Sequence, residues 1–343
     1  MIKWDLLDDT DVTADKWNGL LVDARDYTVF QSYGWGEYKR KAGWQPLRFV
    51  ARNKDGQVVG MVQLLLKLLP MGLGMAWAAG GPVLQFGRAG SEPLGKDLAG
   101  LLQIMHEKYP RVLVRFHSHL PHDSGLAYGF NQACRRPFYK LNSGFTIHMD
   151  LNEVGDDLLS RMTSKHRYYA RKAAKAPLQW RAGSSDEDIA ALVLVHREMV
   201  TNKNMHSIAT SEEELIKLRD ALDPDGMTIL TGYIDEEPVT SCLTFDFGKR
   251  AIYMVAATGN EGRKVSAAYA MIVQLIPVLQ KKGIEHFDFG GLDPVTPAAE
   301  GVNHFKRGFG GQITEYLGEW EGASSEMLRV GMNLAILKKG GRV

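Results

Sequence analysis

The sequence predicts an α/β protein, more narrowly α+β, with two similar domains that each contain a mixed, mostly antiparallel sheet and flanking helices. Its 343 residues are about twice the length of a typical domain. A hydrophobic content of 45% is sufficient for a core in each domain. The third observation is an order of elements (hairpin, strand, helix and strand) that occurs twice along the chain. This repetition indicates an internal duplication.

The first copy begins with a hairpin. Two apolar runs, LRFVAR and VVGMVQLLL, flank the turn Lys54–Gln57, whose Asp-Gly pair favours a tight connection. A strand, an amphipathic helix and another strand are then predicted, in the order MAWAAGGPVL, LGKDLAGLLQIMHEKY and RVLVRFHSH.

The second copy repeats this order. MTILTGYIDEEPVTSCLTFDFG predicts a hairpin around Asp235 and Glu236. A strand, a helix that ends at Gly283, and another strand follow as AIYMVAATGN, VSAAYAMIVQLIPVLQKKG and IEHFDFGG. We expect the copies to join near residues 145–155.

Charge and cysteine content exclude several classes of protein. Lys and Arg number 41 against 40 Asp and Glu, so a protein coated with positive charge for DNA is not expected, and any anion site must be local. Cys134 and Cys242 make no disulfide framework, and the start of the chain lacks a signal-peptide pattern, which favours the cytoplasm. The apolar stretch 61–83 is interrupted by Lys67 and Pro70, so a transmembrane helix is not expected.

Residues 158–185, between the copies, contain seven Lys or Arg residues and no acid. We expect a helix over 158–175 that packs through Leu158, Met162, Tyr169 and Ala173. Three cations, here called the basic ridge, would line up one turn apart on another face: Arg167, Arg171 and Lys175. Uncompensated cations indicate a nearby anion. The alternatives are a solvated helix face, or an RNA-binding module without enzymatic activity.

Several segments together resemble the FemABX family of peptidoglycan interpeptide-bridge aminoacyltransferases, in order and spacing. They are FQSYGWGEYKRKAGW, AAGGPV, SKHRYYARKAAK, AIYMVAATGNE, HFDFGG and GVNHFKRGFGGQITEYLGEW. The resemblance covers nearly the whole chain. It implies two GNAT-like domains, residues 1–147 with 318–343 and residues 148–317, the tail completing the first domain.

The resemblance also implies the reaction and the partners. An aminoacyl group leaves the 3′ end of an aminoacyl-tRNA and is taken by the side-chain amine of the third residue in a peptidoglycan precursor stem. Both partners are anionic, and a nearly neutral chain with concentrated basic spots suits them. No cofactor and no metal are implied. The sequence leaves open whether the acceptor is nucleotide-linked or lipid-linked, and a peripheral membrane contact is compatible with either.

The final matching segment carries the candidate catalytic residues. Lys306 matches the family lysine near the reaction centre, where it would stabilise the oxyanion or hold the terminal phosphate of the tRNA, flanked by Phe305. Arg307 is a candidate contact to tRNA, and Asp288 a candidate acceptor of the proton released by the amine. The alternatives are a glycine-rich turn with a solvated Lys-Arg pair, and a structural ion pair for Asp288.

Other residues match family positions for binding the precursor. Lys39, beside Trp35, corresponds to a lysine that contacts the diphosphate. Lys203 lies where the family has an arginine, and would replace a bidentate fork by a point charge. Tyr253 lies on the strand that borders the acceptor cleft, although a strand tyrosine also serves for packing.

Two other enzyme classes are weighed against this one. An acyl-CoA or acyl-carrier-dependent N-acyltransferase would hold a pyrophosphate before a helix, where residues 263–268 lack the glycines of such a loop. The motif HSHLPHD, residues 117–123, has metal-ligand spacing but no partner motif, so a solvated loop is the simpler explanation. Only residues 176–185 separate the basic helix from the next one. A long helical arm is therefore not expected there, and we expect a monomer.

Overall fold

The computed structural model describes residues 2–84, 94–154, 157–202 and 211–338. The chain divides into two compact units, Met1–Gly144 with Thr314–Val343 and Phe145–Ile313. Lys203 lies outside the described residues, so its predicted contact with the precursor stays a prediction.

The first unit contains a six-stranded mixed sheet in the order β1-β2-β3-β4-β5-β12. Its strands are β1 (Lys3–Leu6), β2 (Gln45–Arg52), β3 (Val58–Leu68), β4 (Gly74–Ala79), β5 (Val112–Pro121) and β12 (Gln312–Gly322). Only β4 and β5 pair in parallel; the other neighbours are antiparallel. Its helices are α1 (Ala14–Leu21), α2 (Tyr33–Lys41), α3 (Leu94–Lys108), α4 (Ala127–Ala133) and α13 (Glu326–Lys338).

The second unit has a sheet of the same design, in the order β6-β11-β10-β9-β8-β7. Its strands are β6 (Phe145–Asp150), β7 (Gln179–Gly183), β8 (Met227–Ile234), β9 (Glu237–Phe247), β10 (Arg250–Thr258) and β11 (His286–Asp288). β10 and β11 form its parallel pair. Its helices are α5 (Leu151–Val154), α6 (Leu158–Arg161), α7 (Ser164–Ala173), α8 (Asp186–Asn202), α9 (Glu212–Arg219), α10 (Asn260–Lys264), α11 (Ala267–Lys281) and α12 (Glu300–Arg307).

The two sheets confirm the predicted duplicated fold. In each copy a hairpin leads to a strand, a long helix crosses the sheet, and the next strand pairs in parallel with the strand before the helix. The second hairpin turns at Asp235 and Glu236, both with positive φ, the backbone geometry that a two-residue connection needs. The sixth strand of each sheet comes from the other half of the chain. β6 follows the first copy but lies in the second unit, and β12 follows the second copy but lies in the first.

Helix α11 illustrates how local sequence and packing agree. Its buried face includes Met271, Leu275 and Leu279, spaced four residues apart, and these pack on the second core with Phe287 and Phe289. Gly283 follows its end with positive φ, as predicted for a residue that terminates a helix.

The returning strand β12 is held in the first unit by buried charges. The side chain of Arg115, which is fully buried, donates to Glu321 at 2.7 Å and to Asn333 of α13 at 2.9 Å. Arg329 of α13 donates to the other oxygen of Glu321 at 3.0 Å. Buried charges are tolerated only when they are paired and hydrogen-bonded, so this network ties β5, β12 and α13 together.

The continuous helix predicted over 158–175 is wrong. The chain forms α6, leaves helical geometry at Met162 and Thr163, and starts again as α7. The hydroxyl of Thr163 caps α7 by accepting from the backbone N–H of His166. The backbone N–H of Thr163 donates to the carbonyl of Gly308 at 2.9 Å. The break therefore gives Thr163 a long-range partner that helical geometry would deny it.

No helix among the described residues combines the length and apolar character needed to cross a bilayer.

Candidate active site

Asp288 lies at the centre of a polar cluster at the end of β11. Its Oδ1 accepts from the hydroxyl of Thr146 and from the backbone N–H of Gly290, at 2.7 Å from the latter. Its Oδ2 lies 3.2 Å from Nε2 of His148. Burial pushes the pKa of Asp288 upward, but the hydrogen bonds and charge of His148, with those of Thr146 and Gly290, outweigh burial and hold it at about 2. Asp288 is therefore a permanent carboxylate at neutral pH and a weak proton acceptor.

Lys306 lies near the C-terminal end of α12, over the turn that follows Asp288. Its Nζ donates to the carbonyl of Gly291 at 2.8 Å. Gly290 has a φ of 71°, which brings the backbone through a left-handed turn below the ammonium group. Burial lowers the pKa of Lys306, and the negative charge of Asp288 opposes that shift. A half-buried ammonium with one N–H engaged retains donors for a substrate oxygen.

A buried histidine fixes the helix that carries Lys306. The Nε2 of His166 lies 2.9 Å from the carbonyl of Phe305, which can only accept, so this nitrogen carries the hydrogen. The Nδ1 lies 3.0 Å from Oγ1 of Thr163, which donates to it. Burial lowers the pKa of His166, in keeping with a neutral ring. A methyl group on Gly308 would overlap this ring, so only glycine allows the close approach.

The side chain of Phe305 completes an aromatic wall around the same helix end. Its ring lies 5.3 Å from that of Tyr269 and 5.0 Å from that of Phe309, between centroids. Phe305 and Tyr269 are half-buried and pack against the second core, to which the fully buried Phe309 belongs. Phe305 therefore contributes packing, and its carbonyl accepts from His166.

Tyr253 lies on β10 with its side chain buried. Its hydroxyl has no hydrogen-bond partner among the described residues. Burial raises the pKa of Tyr253 well above its usual range, so the group is a neutral phenol. A side chain at position 290 would meet the carbonyl of Tyr253, which only glycine avoids. The backbone of Tyr253 thus borders the turn under Lys306, while its ring packs with Phe287 and Phe289.

Only two of the three side chains of the basic ridge are exposed. Arg171 and Lys175 are exposed, but Arg167 is half-buried and donates to the carbonyl of Met162 at 3.0 Å. Two of the seven cations of the segment pair with acids outside it, Arg161 with Glu153 and Arg181 with Glu236. The expectation of seven uncompensated cations is therefore wrong. Arg307 is exposed at the end of α12.

Lys39 and Trp35 lie on α2 in the first unit. The Nζ of Lys39 is 4.9 Å from the centroid of the Trp35 ring, a cation–π contact. The helix is anchored by Arg48, whose buried guanidinium donates to Glu37 at 2.8 Å. Burial works against the charge of Glu37, but hydrogen bonds from Arg40 and Arg48 outweigh it and lower the pKa of Glu37.

Sequence reasoning missed the residues that support the site. His148 and Thr146 alternate along β6, so they share one face of that strand. His166 lies in the first turn of α7, after a helix break that periodicity does not predict. The alternation of polar residues in FTIHMD was the available signal for the first pair. No local pattern pairs His166 with Phe305, 139 residues away.

The motif at 117–123 lies mainly in β5. His117 is buried, and burial lowers its pKa well below the usual range. His119 stacks on Tyr316, with ring centroids 4.6 Å apart. Over the described ranges there is no group of three or more His, Cys, Asp or Glu side chains that could hold a metal ion.

Two sheets with the same strand order, each with one parallel pair, have the architecture of a tandem GNAT-like protein. A tandem GNAT protein from the clavulanic acid biosynthesis pathway has a TM-score of 0.56 at 14% identity, over 95% of this chain and 99% of that one. The crystal structure of FemX has a TM-score of 0.79 at 15% identity, over 96% of this chain and all of FemX.

Sequence comparison finds two partial matches. Residues 196–335 match the model of the FemAB family. The aminoacyltransferase FemA of Staphylococcus aureus (strain MW2) is 25% identical over 122 residues, which are 35% of this chain. The match spans 29% of the length of FemA. These matches cover parts of the chain, and they agree with the resemblance of its motifs to the FemABX family.

Proposed function

We propose that the protein is an aminoacyl-tRNA-dependent aminoacyltransferase. It adds an amino acid to the side-chain amine of the third stem residue of a peptidoglycan precursor. The observation that carries this proposal is Lys306, a half-buried ammonium over a tight turn, inside the region that matches the FemAB family. The kinship with FemA supports transfer of an aminoacyl group.

In this reaction Lys306 meets the negative charge that develops on the ester. The amine attacks the ester carbonyl, its oxygen becomes an oxyanion, and the remaining N–H groups of Lys306 donate to that oxygen. Because burial has removed part of the water around the ammonium, its interaction with an oxyanion is stronger than at an open surface. Collapse of the intermediate expels the 3′-oxygen of the tRNA and leaves an amide.

We further propose His148, rather than Asp288, as the acceptor of the amine's proton. Asp288 has a pKa of about 2 and accepts hydrogen bonds at both oxygens, so it holds a neighbouring imidazole better than it takes a proton. Histidine is the side chain best suited to exchange protons near neutral pH. A carboxylate that orients a histidine is a recurrent arrangement in acyl transfer.

His148→Gln should lower kcat about tenfold. This is less than a general base typically contributes, because an amine attacking an activated ester needs little proton removal. Asp288→Asn, which removes the carboxylate that orients this imidazole, should also lower kcat. Rates are measured after subtraction of spontaneous ester hydrolysis. An unchanged kcat in His148→Gln would assign the proton to another acceptor.

Arg171 and Lys175 are proposed to contact the tRNA backbone, because they are the exposed members of the basic ridge. The double variant Arg171→Gln with Lys175→Gln should reduce the slope of the log binding constant against log salt concentration by about 1.4 to 1.8. This is the change expected for the loss of two phosphate contacts. Binding is titrated with aminoacyl-tRNA at several salt concentrations. Lys140→Gln with Lys281→Gln removes two exposed lysines elsewhere and should leave the slope unchanged. Equal slopes for both double variants would make the ridge a solvated face.

The proposed function is tested by product mass. The protein is incubated with a mixed aminoacyl-tRNA pool and a nucleotide-linked pentapeptide precursor, and the acceptor is examined for added aminoacyl mass. The expected product carries one amino acid on the third residue, located by fragmentation. No mass gain with this acceptor and with its lipid-linked form would refute the proposal.

The acyl-CoA-dependent alternative has weaker support. Across residues 263–268, where a pyrophosphate loop would lie, helix α10 ends at Lys264 and helix α11 begins at Ala267. The carbonyl of Lys264 accepts from Lys172, and its ammonium pairs with Glu261. These groups are already engaged, and the segment offers no glycine-rich cradle. Acetylated product from acetyl-CoA in the same assay would reverse this preference.

A further inference from the structure

One end of the first unit exposes an unusual set of apolar side chains. The end of β3 and its connection to β4 present Leu68, Leu69 and Met71, with 49%, 47% and 78% of their surfaces exposed. Helix α13 presents Leu334 and Leu337, exposed to 60% and 54%. We call these five residues the apolar tip. Single exposed apolar residues are ordinary on a protein surface, but a cluster of them indicates a binding surface.

The two segments of the apolar tip lie at the same end of the sheet. β4 and β5 are parallel and begin opposite one another, at Gly74 and Val112. The connection 69–73 leads directly into β4. Ile336 of α13 packs on Met75 and Leu113, the second residue of each strand. The last turns of α13 therefore lie over the strand ends from which the connection protrudes.

The connection has a defined shape. The backbone N–H of Leu69 donates to the carbonyl of Leu73 at 2.6 Å and closes the turn. Arg111 donates to the carbonyl of Met71 at 3.1 Å and ties the turn to the start of β5. Met71 has a φ of 62°, which residues other than glycine rarely adopt. A strained and closed turn that exposes its apolar residues is a feature found at functional sites.

Three exposed cations, Lys67, Arg111 and Lys338, lie beside the apolar tip. The segments that carry the tip have no acid over residues 56–84, 108–122 or 327–338. Apolar side chains framed by cations match a bilayer with anionic headgroups, because the side chains enter the acyl region while the cations stay with the phosphates.

We propose that the apolar tip docks the protein onto an anionic membrane surface, where it meets a lipid-linked precursor. This deepens the proposed function and rests on it for the identity of the acceptor. A second copy of the chain suits the surface less well, because a two-fold interface would set the cations of one copy against those of the other. The occupant is therefore a lipid surface, held through apolar contact and headgroup charge.

The test is flotation of the full chain with vesicles, of phosphatidylcholine alone or mixed with phosphatidylglycerol. The unaltered protein should float with the mixed vesicles and much less with the neutral ones, and added salt should reduce binding. Leu69→Ser with Met71→Ser should lower the partition coefficient at least about tenfold, because two apolar anchors are lost. Leu194→Ser changes a leucine of α8 that is 54% exposed and should not affect flotation.

A second readout separates this inference from the proposed function. The tip double variant should keep its rate with the nucleotide-linked acceptor and lose most of its rate with the lipid-linked acceptor in vesicles. Absence of vesicle binding by the unaltered protein would overturn the docking, whatever its transferase activity. Vesicle binding without any aminoacyl transfer would refute the proposed function and leave the docking surface standing. Self-association that the tip variant abolishes, without lipid binding, would identify a protein partner instead.

Discussion

Lys306→Ala is expected to lower kcat about a hundredfold or more, the loss typical of one preorganised donor to an oxyanion. The substitution removes the ammonium above the turn of Gly290 and Gly291 but no core contact, so the fold should be unchanged. Single-turnover rates with saturating aminoacyl-tRNA and precursor measure the chemical step. Lys281→Ala, an exposed lysine at the end of α11, is the matched control and should react at the normal rate.

Two further predictions test the role of Lys306. Lys306→Arg should rescue the rate poorly, because a planar guanidinium directs its donors differently from a compact ammonium. In the unaltered protein the rate should fall on the alkaline side, at a pH below the ordinary lysine range. The sign follows from the lowered pKa: the ammonium form, which is the active one, is lost as pH rises through that value. Normal single-turnover rates in Lys306→Ala would show that the lysine has no role in the chemical step.

Gly308→Ala is expected to destabilise the second unit by about 1–3 kcal/mol, the usual cost of overpacking. The added methyl group meets the imidazole of His166, which cannot swing away because both of its nitrogens are engaged. Gly308 has a right-handed helical backbone conformation, so the loss of stability would come from the steric clash and not from backbone strain. A displaced helix end misplaces Lys306, and kcat should fall by about ten- to a hundredfold.

Gly301 provides the control within the same helix. A methyl group on Gly301 meets no atom within 4 Å, so Gly301→Ala should be neutral or stabilise by up to about 1 kcal/mol. Unfolding midpoints in urea compare the variants. Adding His166→Ala to Gly308→Ala makes room for the methyl group, so the two free-energy changes should be non-additive. A Gly308→Ala protein with unchanged stability and rate would contradict the proposed steric overlap with His166.

Local sequence was enough to predict much of this fold. The hairpin at Asp235 and Glu236, the helix ended by Gly283, and the repeated order of elements all depend on contacts between neighbours along the chain. A hydrophobic period of two residues in a strand, or of 3.6 in a helix, indicates which face is buried. The residue types in a turn indicate where φ is positive. The family motifs around Lys306 were also recognisable, because short segments carry them.

Only the tertiary structure decided how distant segments meet. Strand β6 joins β11 and strand β12 joins β5, although the sequence repeat gives each sixth strand no preferred sheet. The helix break at Thr163 exists because Gly308, 145 residues later, accepts its N–H. The pKa of Asp288 is lowered to about 2, in part because His148, from another strand, donates to it. Pairing partners, burial and pKa depend on contacts across the sheet, and a local pattern contains no record of them.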